Sequence, residues 1–449
     1  MPERQPHSWR RIAPHWGDSQ GVRLCSPDVI RLAGPLALVV AALLVGCDSG
    51  EPERWMMPPP VIMQDPRLDF TRFVAPENRS PDVRVVYATT RAPASPGTSE
   101  HYLRRGGDVA LLGLANVQLG EPGWTWEELV ESDRSSTAET LRPARVTSVD
   151  EFGAMGTAAD DALIAAIDRQ LEGSRTGAVV IYVPGYRVDF NRVMVLMGSW
   201  AHYLGGSSPV VAFSWPTGTH FWNYLFDCPR ARRYIPEIER LVALIAERSK
   251  ATRLNLIGFS CGSPLLAEAL VHLRERHPEE DHAALQQRYR IGNALFVAAD
   301  IDLQTFARAQ VPALSDLAVR TQFYLSEDDF ALKVSGFLTR TSRLGRPRLE
   351  ELSRDDLMTL ASNERLAGID VAGVYGAHEL GGIRGHGYWI ANARVSTDIL
   401  LSMMYPFSPA QRALVHGPGP GLWAFPGDYP QRVGDAVFEW APELHRELH

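Results

Sequence analysis

The run Gly258-Phe259-Ser260-Cys261-Gly262 is the stretch of this chain best suited to chemistry. A bare G-x-S-x-G arises often by chance, so its surroundings decide what it means. It directly follows a β-rich run, Arg253-Leu-Asn-Leu-Ile257, and precedes a helical stripe of Leu265, Leu266, Ala269, Leu270 and Leu273. Strand, sharp turn and helix is the context in which a serine is held on a strained elbow. Its hydroxyl then projects above the sheet, and the amide of the next residue faces any developing oxyanion. The competing reading is a glycine-rich turn whose serine caps the helix. Cys261 as a thiol nucleophile is set aside, because the elbow turns its side chain away from the reacting position.

A serine hydroxyl needs a base, and the base needs an orienting acid, both expected downstream in this chain order. Ser326-Glu327-Asp328-Asp329 follows the predicted strand Arg320–Leu325, leaving three carboxylates open as the acid. Beyond them lie His378, His386, His416, His445 and His449. His386, on the glycine-rich loop Gly385-His-Gly-Tyr388 before a predicted helix over Ser396–Met403, is the expected base; His378 competes, but reads first as a surface histidine. Asp300 and Asp302 end another strand and offer an alternative acid, but are expected instead to cap the following helix. Trp215, Phe221, Trp222, Tyr224 and Phe226 could line an acyl pocket or a lid, though such aromatics more often pack.

Positioning these groups requires a sheet. Ala178–Val183, Pro209–Phe213, Arg253–Ile257, Asn293–Val297 and Arg320–Leu325 are β-rich runs without polar alternation, as in strands buried on both faces of a parallel sheet. Val83–Ala88 and Asp108–Leu112 read as earlier strands. Helical patterns intervene, such as Ile235, Ile238, Leu241, Val242 and Ile245. The expected fold class is α/β, a mostly parallel doubly wound sheet with helices on both faces. Residues 341–370 read as a helical insertion, and the tail after Tyr405, with His416-Gly-Pro-Gly-Pro-Gly421, as an irregular wrap.

The 449 residues are 45% hydrophobic and 22% charged, enough for a sizeable core. A net charge of −8 offers no basic field for phosphates, so nucleic acid is not an expected partner. Cys25, Cys47, Cys228 and Cys261 contain no C-x-x-C pair, which argues against a disulfide framework and a cysteine zinc site. The uncharged run Leu32–Gly46 follows Arg23 and Arg31 and is short for a membrane span. It leads into Leu44-Val45-Gly46-Cys47, which resembles a bacterial lipobox. The expectation is a signal region over 1–46, lipidation at Cys47, a Pro-rich tether over 47–80, a catalytic domain over 81–405 and an extension over 406–449.

The ordered set Val86-Tyr-Ala-Thr-Thr-Arg91, Val183-Pro184-Gly185-Tyr186, Phe213-Ser-Trp-Pro216, the elbow, Ala299-Asp300-Ile-Asp302, Asp329-Phe-Ala-Leu332 and Gly385-His-Gly-Tyr388 resembles a bacterial α/β-hydrolase family known as domain of unknown function 900. The resemblance spans about Val83 to Tyr405. It implies the α/β-hydrolase fold and a hydrolase with Ser260 as nucleophile, Asp329 as acid and His386 as base, and it requires no metal or organic cofactor. The backbone amides of Cys261 and Tyr186 are the expected oxyanion donors. Two departures stand out: Pro184 and Arg187 replace the His and Asn usual in the loop after the strand Ala178–Val183, and Phe259 and Cys261 flank the serine in place of His and Met. The expected activity is cleavage of a small ester, thioester or related acyl substrate by an enzyme anchored in the cell envelope. The alternative, kept open by the Pro184 loop, is a non-catalytic envelope protein using this fold as a binding surface.

Overall fold

The computed structural model describes residues 54–446 except 99, 137–139, 207, 221–222, 373 and 375–384. Cys25, Cys47, Phe221, Trp222, His378 and His449 therefore lie outside the described residues. The strands are β1 (Asp82–Pro93), β2 (Tyr102–Leu119), β3 (Ala144–Ala154), β4 (Ala178–Val183), β5 (Val210–Ser214), β6 (Arg253–Phe259), β7 (Ile291–Val297), β8 (Ala318–Leu325), β9 (Leu366–Asp370), β10 (Val415–His416) and β11 (Leu422–Ala424). They form one sheet in the order β10-β11-β9-β8-β7-β6-β4-β5-β1-β2-β3. Every neighbouring pair from β11 to β1 is parallel; the outer pairs β1–β2, β2–β3 and β10–β11 are antiparallel.

The uninterrupted apolar runs are explained by burial on two faces. Along β4, Val179, Ile181 and Val183 belong to one core and Val180 and Tyr182 to the other. The helices Gly262–Glu275 and Ile235–Arg248 cover the first face, and Phe190–Tyr203 and Ala393–Met404 the second. This is the doubly wound arrangement the runs predict.

The edges depart from expectation. Asp108–Leu112 is only the middle of the long strand β2. The segment 341–370 is not a helical insertion throughout: it holds the short helix Arg354–Ser362 and then supplies β9 to the parallel sheet. The tail is not irregular. It adds β10 and β11 to the sheet and forms the helix Tyr429–Trp440, which buries Tyr429, Val433 and Val437 at a spacing of four. Nor do residues 54–80 behave as a tether. Met56, Met57, Ile62 and Leu68 are buried, and the Met57 carbonyl accepts hydrogen bonds from Arg142 and Tyr203. Apolar side chains between the prolines bind this stretch to the core more strongly than the prolines keep it extended.

Candidate active site

Strand β6 ends at Phe259 and the helix begins at Gly262, so the chain must reverse within two residues. Ser260 takes the strain, with φ of 51°, in the left-handed region that residues with a Cβ avoid. Its amide donates to the Val297 carbonyl on β7, which clamps the turn. The loop after β4 lies against it: a Cβ on Gly185 would stand 3.0 Å from the Cβ of Ser260. A side chain there would crowd the elbow, and glycine lets the loop approach closely enough for Tyr186 to line the cleft with the serine.

His386 meets Ser260 from the loop that leads into the helix Tyr388–Ala391. Its Nε2 lies 2.8 Å from Ser260 Oγ and its Nδ1 2.8 Å from Asp329 Oδ2. An ionised carboxylate can only accept, so with Asp329 ionised the ring proton sits on Nδ1 and Nε2 of the neutral ring faces the hydroxyl as an acceptor. Gly385, at φ of 72°, lets the histidine loop pass over the Asp328 carbonyl, where a Cβ would collide. Phe259 packs at 5.3 Å against the imidazole.

Of the three carboxylates after β8, Glu327 and Asp328 are exposed, and Asp329 is fully buried. Its other oxygen accepts from the Leu332 amide as the N-cap of the helix Phe330–Thr339. Among the other acids, Asp302 caps at Thr305 as expected. Asp300 does not cap; it accepts from Ser335 and pairs with Arg343.

The cleft above Ser260 is walled in part by Tyr186, Arg187, Tyr224, Phe259, Leu332 and His386, and encloses about 530 Å³ including its open mouth. Of the aromatic cluster, Tyr224 lines this cleft, Trp215 is buried in the core and Phe226 is exposed. The Tyr186 hydroxyl shares its single proton between the Asp227 carboxylate and the His220 carbonyl. Burial first, and Asp227 second, push that phenol above its ordinary pKa, so it stays a neutral donor.

Three supports escaped the sequence reading. Trp215 Nε1 donates to the Pro184 carbonyl at 2.8 Å, holding the loop whose sequence departs from the usual pattern. The Tyr388 hydroxyl accepts from the Ala298 amide and donates to the Tyr324 carbonyl, joining the ends of β7 and β8 under the histidine loop. Cys261 forms a disulfide with Cys228, correcting the expectation of no disulfide; the Cα atoms are 5.9 Å apart. The bridge fastens the elbow to the helix Tyr224–Ala231 and holds the Cys261 side chain in the core, away from the cleft.

A family model described as alpha/beta hydrolase of unknown function (DUF900) matches residues 159–402, more than half of the chain. The chain belongs to this family. The match extends from the helix Ala159–Leu171 to the helix Ala393–Met404 and so takes in the elbow, Asp329 and His386. Membership makes the chain an α/β hydrolase with hydrolase-like function. No curated protein matches significantly. Among solved structures, a lipase-esterase related protein from Clostridium acetobutylicum is similar at 8% identity and a TM-score of 0.26, over 51% of this chain and 95% of that one. A protein described as a cell-surface hydrolase from Lactobacillus plantarum is similar at 12% identity and a TM-score of 0.27, over 46% of this chain and 86% of that one.

Proposed function

We propose that this α/β-hydrolase family member is a serine hydrolase that cleaves an ester, thioester or related acyl bond through an acyl-enzyme. The observation that carries the reading is the unbroken chain of contacts from buried Asp329 through His386 to a serine held in a left-handed turn at the floor of a cleft. His386 Nε2 removes the Ser260 proton as Oγ bonds to the acyl carbon, and the carbonyl electrons move onto oxygen. The Cys261 and Tyr186 amides hold that oxyanion. Collapse expels the alcohol or thiol, which takes the proton from His386, and a water activated the same way releases the acid and restores Ser260. Asp329 fixes the ring tautomer and stabilises the imidazolium throughout.

The compartment is proposed on separate grounds. Cys47, in its lipobox-like setting, anchors the mature chain to a membrane of the cell envelope once acylated, and the Cys228–Cys261 disulfide is in keeping with an oxidising compartment. Cys47→Ser is expected to release the protein from membranes; a wild-type protein recovered soluble with its first 46 residues intact would refute the anchor. The chemistry is tested by an active-site-directed fluorophosphonate. Wild type should be labelled at Ser260, and folded protein that resists labelling would leave the fold as a binding surface.

A further inference from the structure

The helix Phe330–Thr339 is unusual for a surface helix. It starts at the buried acid Asp329, and its core contacts are made by Leu332 and Ser335. Solvent should meet polar residues on the remaining faces. Instead Phe330, Ala331, Val334, Phe337 and Leu338 recur at helical spacing; at 100° per residue they share one arc of about 120°. Phe330, Ala331 and Val334 are half-buried, but Phe337 is 73% exposed and Leu338 42%. Lone exposed apolar residues need no explanation, but a periodic stripe does.

The stripe is continuous with the cleft. Ala331 and Val334 line the same cavity as Ser260 and His386, and Leu338 lies one turn beyond Val334 on the same arc. From Ala331 to Leu338 the helix advances about 10 Å. The other wall, the helix Tyr224–Ala231, is held beside it by a hydrogen bond from the Tyr224 hydroxyl to Ser335 Oγ. The apolar surface therefore leads outward from the nucleophile in one direction, along one helix.

We infer that this stripe is an acyl-chain track and that the substrates are esters or thioesters of medium to long straight acyl chains. The assignment of a scissile bond rests on the serine-hydrolase reading above; the track itself does not. With the acyl carbon at Ser260 Oγ, the first methylenes pass Ala331 and Val334 and the later ones cover Leu338 and Phe337. At C–C bonds of about 1.5 Å, the 10 Å of track takes roughly eight methylenes.

The test is a series of 4-nitrophenyl esters from acetate to dodecanoate, kept below their aggregation limits. In wild type kcat/KM should rise about two- to fourfold per methylene, as expected for partial to full burial of each one, and level off near decanoate. Phe337→Ser combined with Leu338→Ser should keep the rise over the stretch beside Ala331 and Val334 and flatten it beyond about hexanoate, with thermal unfolding checking that the variant is folded. Phe226→Ser, exposed on the neighbouring helix, should keep the slope. A wild-type slope that is flat or falling beyond butyrate, or one that continues past hexanoate in the double variant as it does in wild type, overturns the track. Binding of laurate to Ser260→Ala, followed by calorimetry, requires no turnover. If no ester is hydrolysed yet laurate binds and loses affinity in the stripe variant, the hydrolase reading falls and the track stands. If acetate is turned over with fluorophosphonate labelling of Ser260 and the slope is flat, the track alone falls.

Discussion

Among the described residues, aspartate pairs with histidine in two places, and one of these pairs faces a cleft. In the first, Asp329 takes Nδ1 of His386 and leaves Nε2 to Ser260. In the second, Asp133 takes Nε2 of His202 at 2.6 Å and shares its other oxygen with Arg142. The His202 side chain is 1% exposed, and its Nδ1 is buried with no hydrogen-bond partner among the described residues. The His386 side chain is 13% exposed and borders the cleft. The contrast teaches that the pair alone is not a catalytic device. The carboxylate must occupy the nitrogen nearer the backbone, so that the outer nitrogen can meet a nucleophile where substrate can enter. Around Asp133 the outer nitrogen is consumed, and the pair instead binds the helix Trp126–Ser135 to the helix Phe190–Tyr203. Through Arg142 it also reaches the Met57 carbonyl and fastens the N-terminal segment.

The cleft-facing pair is most sensitive at the nucleophile. Ser260→Ala and His386→Ala should each lower ester turnover by on the order of 10⁶, and the double variant should be hardly worse than either, because members of such a unit are grossly non-additive. Additive losses would mean the two side chains do not act together. Asp329→Asn should cost about 10⁴ in turnover by presenting the wrong tautomer. Glu327→Gln and Asp328→Asn, both at exposed positions, should remain close to wild type in the same assay.

The second pair should respond in stability rather than rate. Asp133→Asn leaves Arg142 buried without its charge partner, and chemical denaturation should show a loss of about 3–5 kcal/mol. Turnover per folded molecule should hold. Burial pushes the Asp133 carboxyl up, but His202 and Arg142 outweigh it and hold the group below the usual carboxylate range. A depressed folded-state pKa contributes stability that is present above the unfolded value of about 3.9 and lost as pH falls through the folded one. The wild type should therefore lose more stability than Asp133→Asn as pH drops below about 4. Cys228→Ser should be slightly milder: opening a loop of 33 residues costs roughly 3–4 kcal/mol in the chain-entropy account, measured as a lower unfolding midpoint under non-reducing conditions.

What the sequence made legible was local. The strand before Ser260, the glycines around it and the apolar stripe after it lie within some twenty residues, so their meaning can be read without knowing the fold. The central parallel strands were legible for the same reason, as apolar runs. The acid was legible only through the resemblance at Asp329-Phe-Ala-Leu332: by residue type three adjacent carboxylates look alike, and in the fold burial and the cap on Leu332 separate Asp329 from Glu327 and Asp328. The disulfide joins residues on elements that meet only in three dimensions, and no short Cys spacing announces it. Strands β10 and β11 are two and three residues long, too short to carry a pattern, and β9 is interrupted by Gly368 and ends on Asp370; all three gain their identity from the neighbour they pair with. The stretch 54–80 shows its prolines openly, whereas Met56, Met57 and Ile62 acquire significance only once Arg142 and Tyr203 are seen to hold the backbone between them.

The left-handed backbone at Ser260 sets the stability of the chain against its chemistry. A residue with a Cβ at φ of 51° carries about 1–2 kcal/mol of conformational strain that glycine does not. Set against the greater freedom of glycine in the unfolded chain, Ser260→Gly should unfold up to about 1 kcal/mol later than Ser260→Ala, though both lack the hydroxyl. A screen that rewards heat resistance alone would therefore favour a glycine at this position, and only a demand for turnover would keep the serine. At this residue the endurance of the fold and the reactivity of the molecule are opposed.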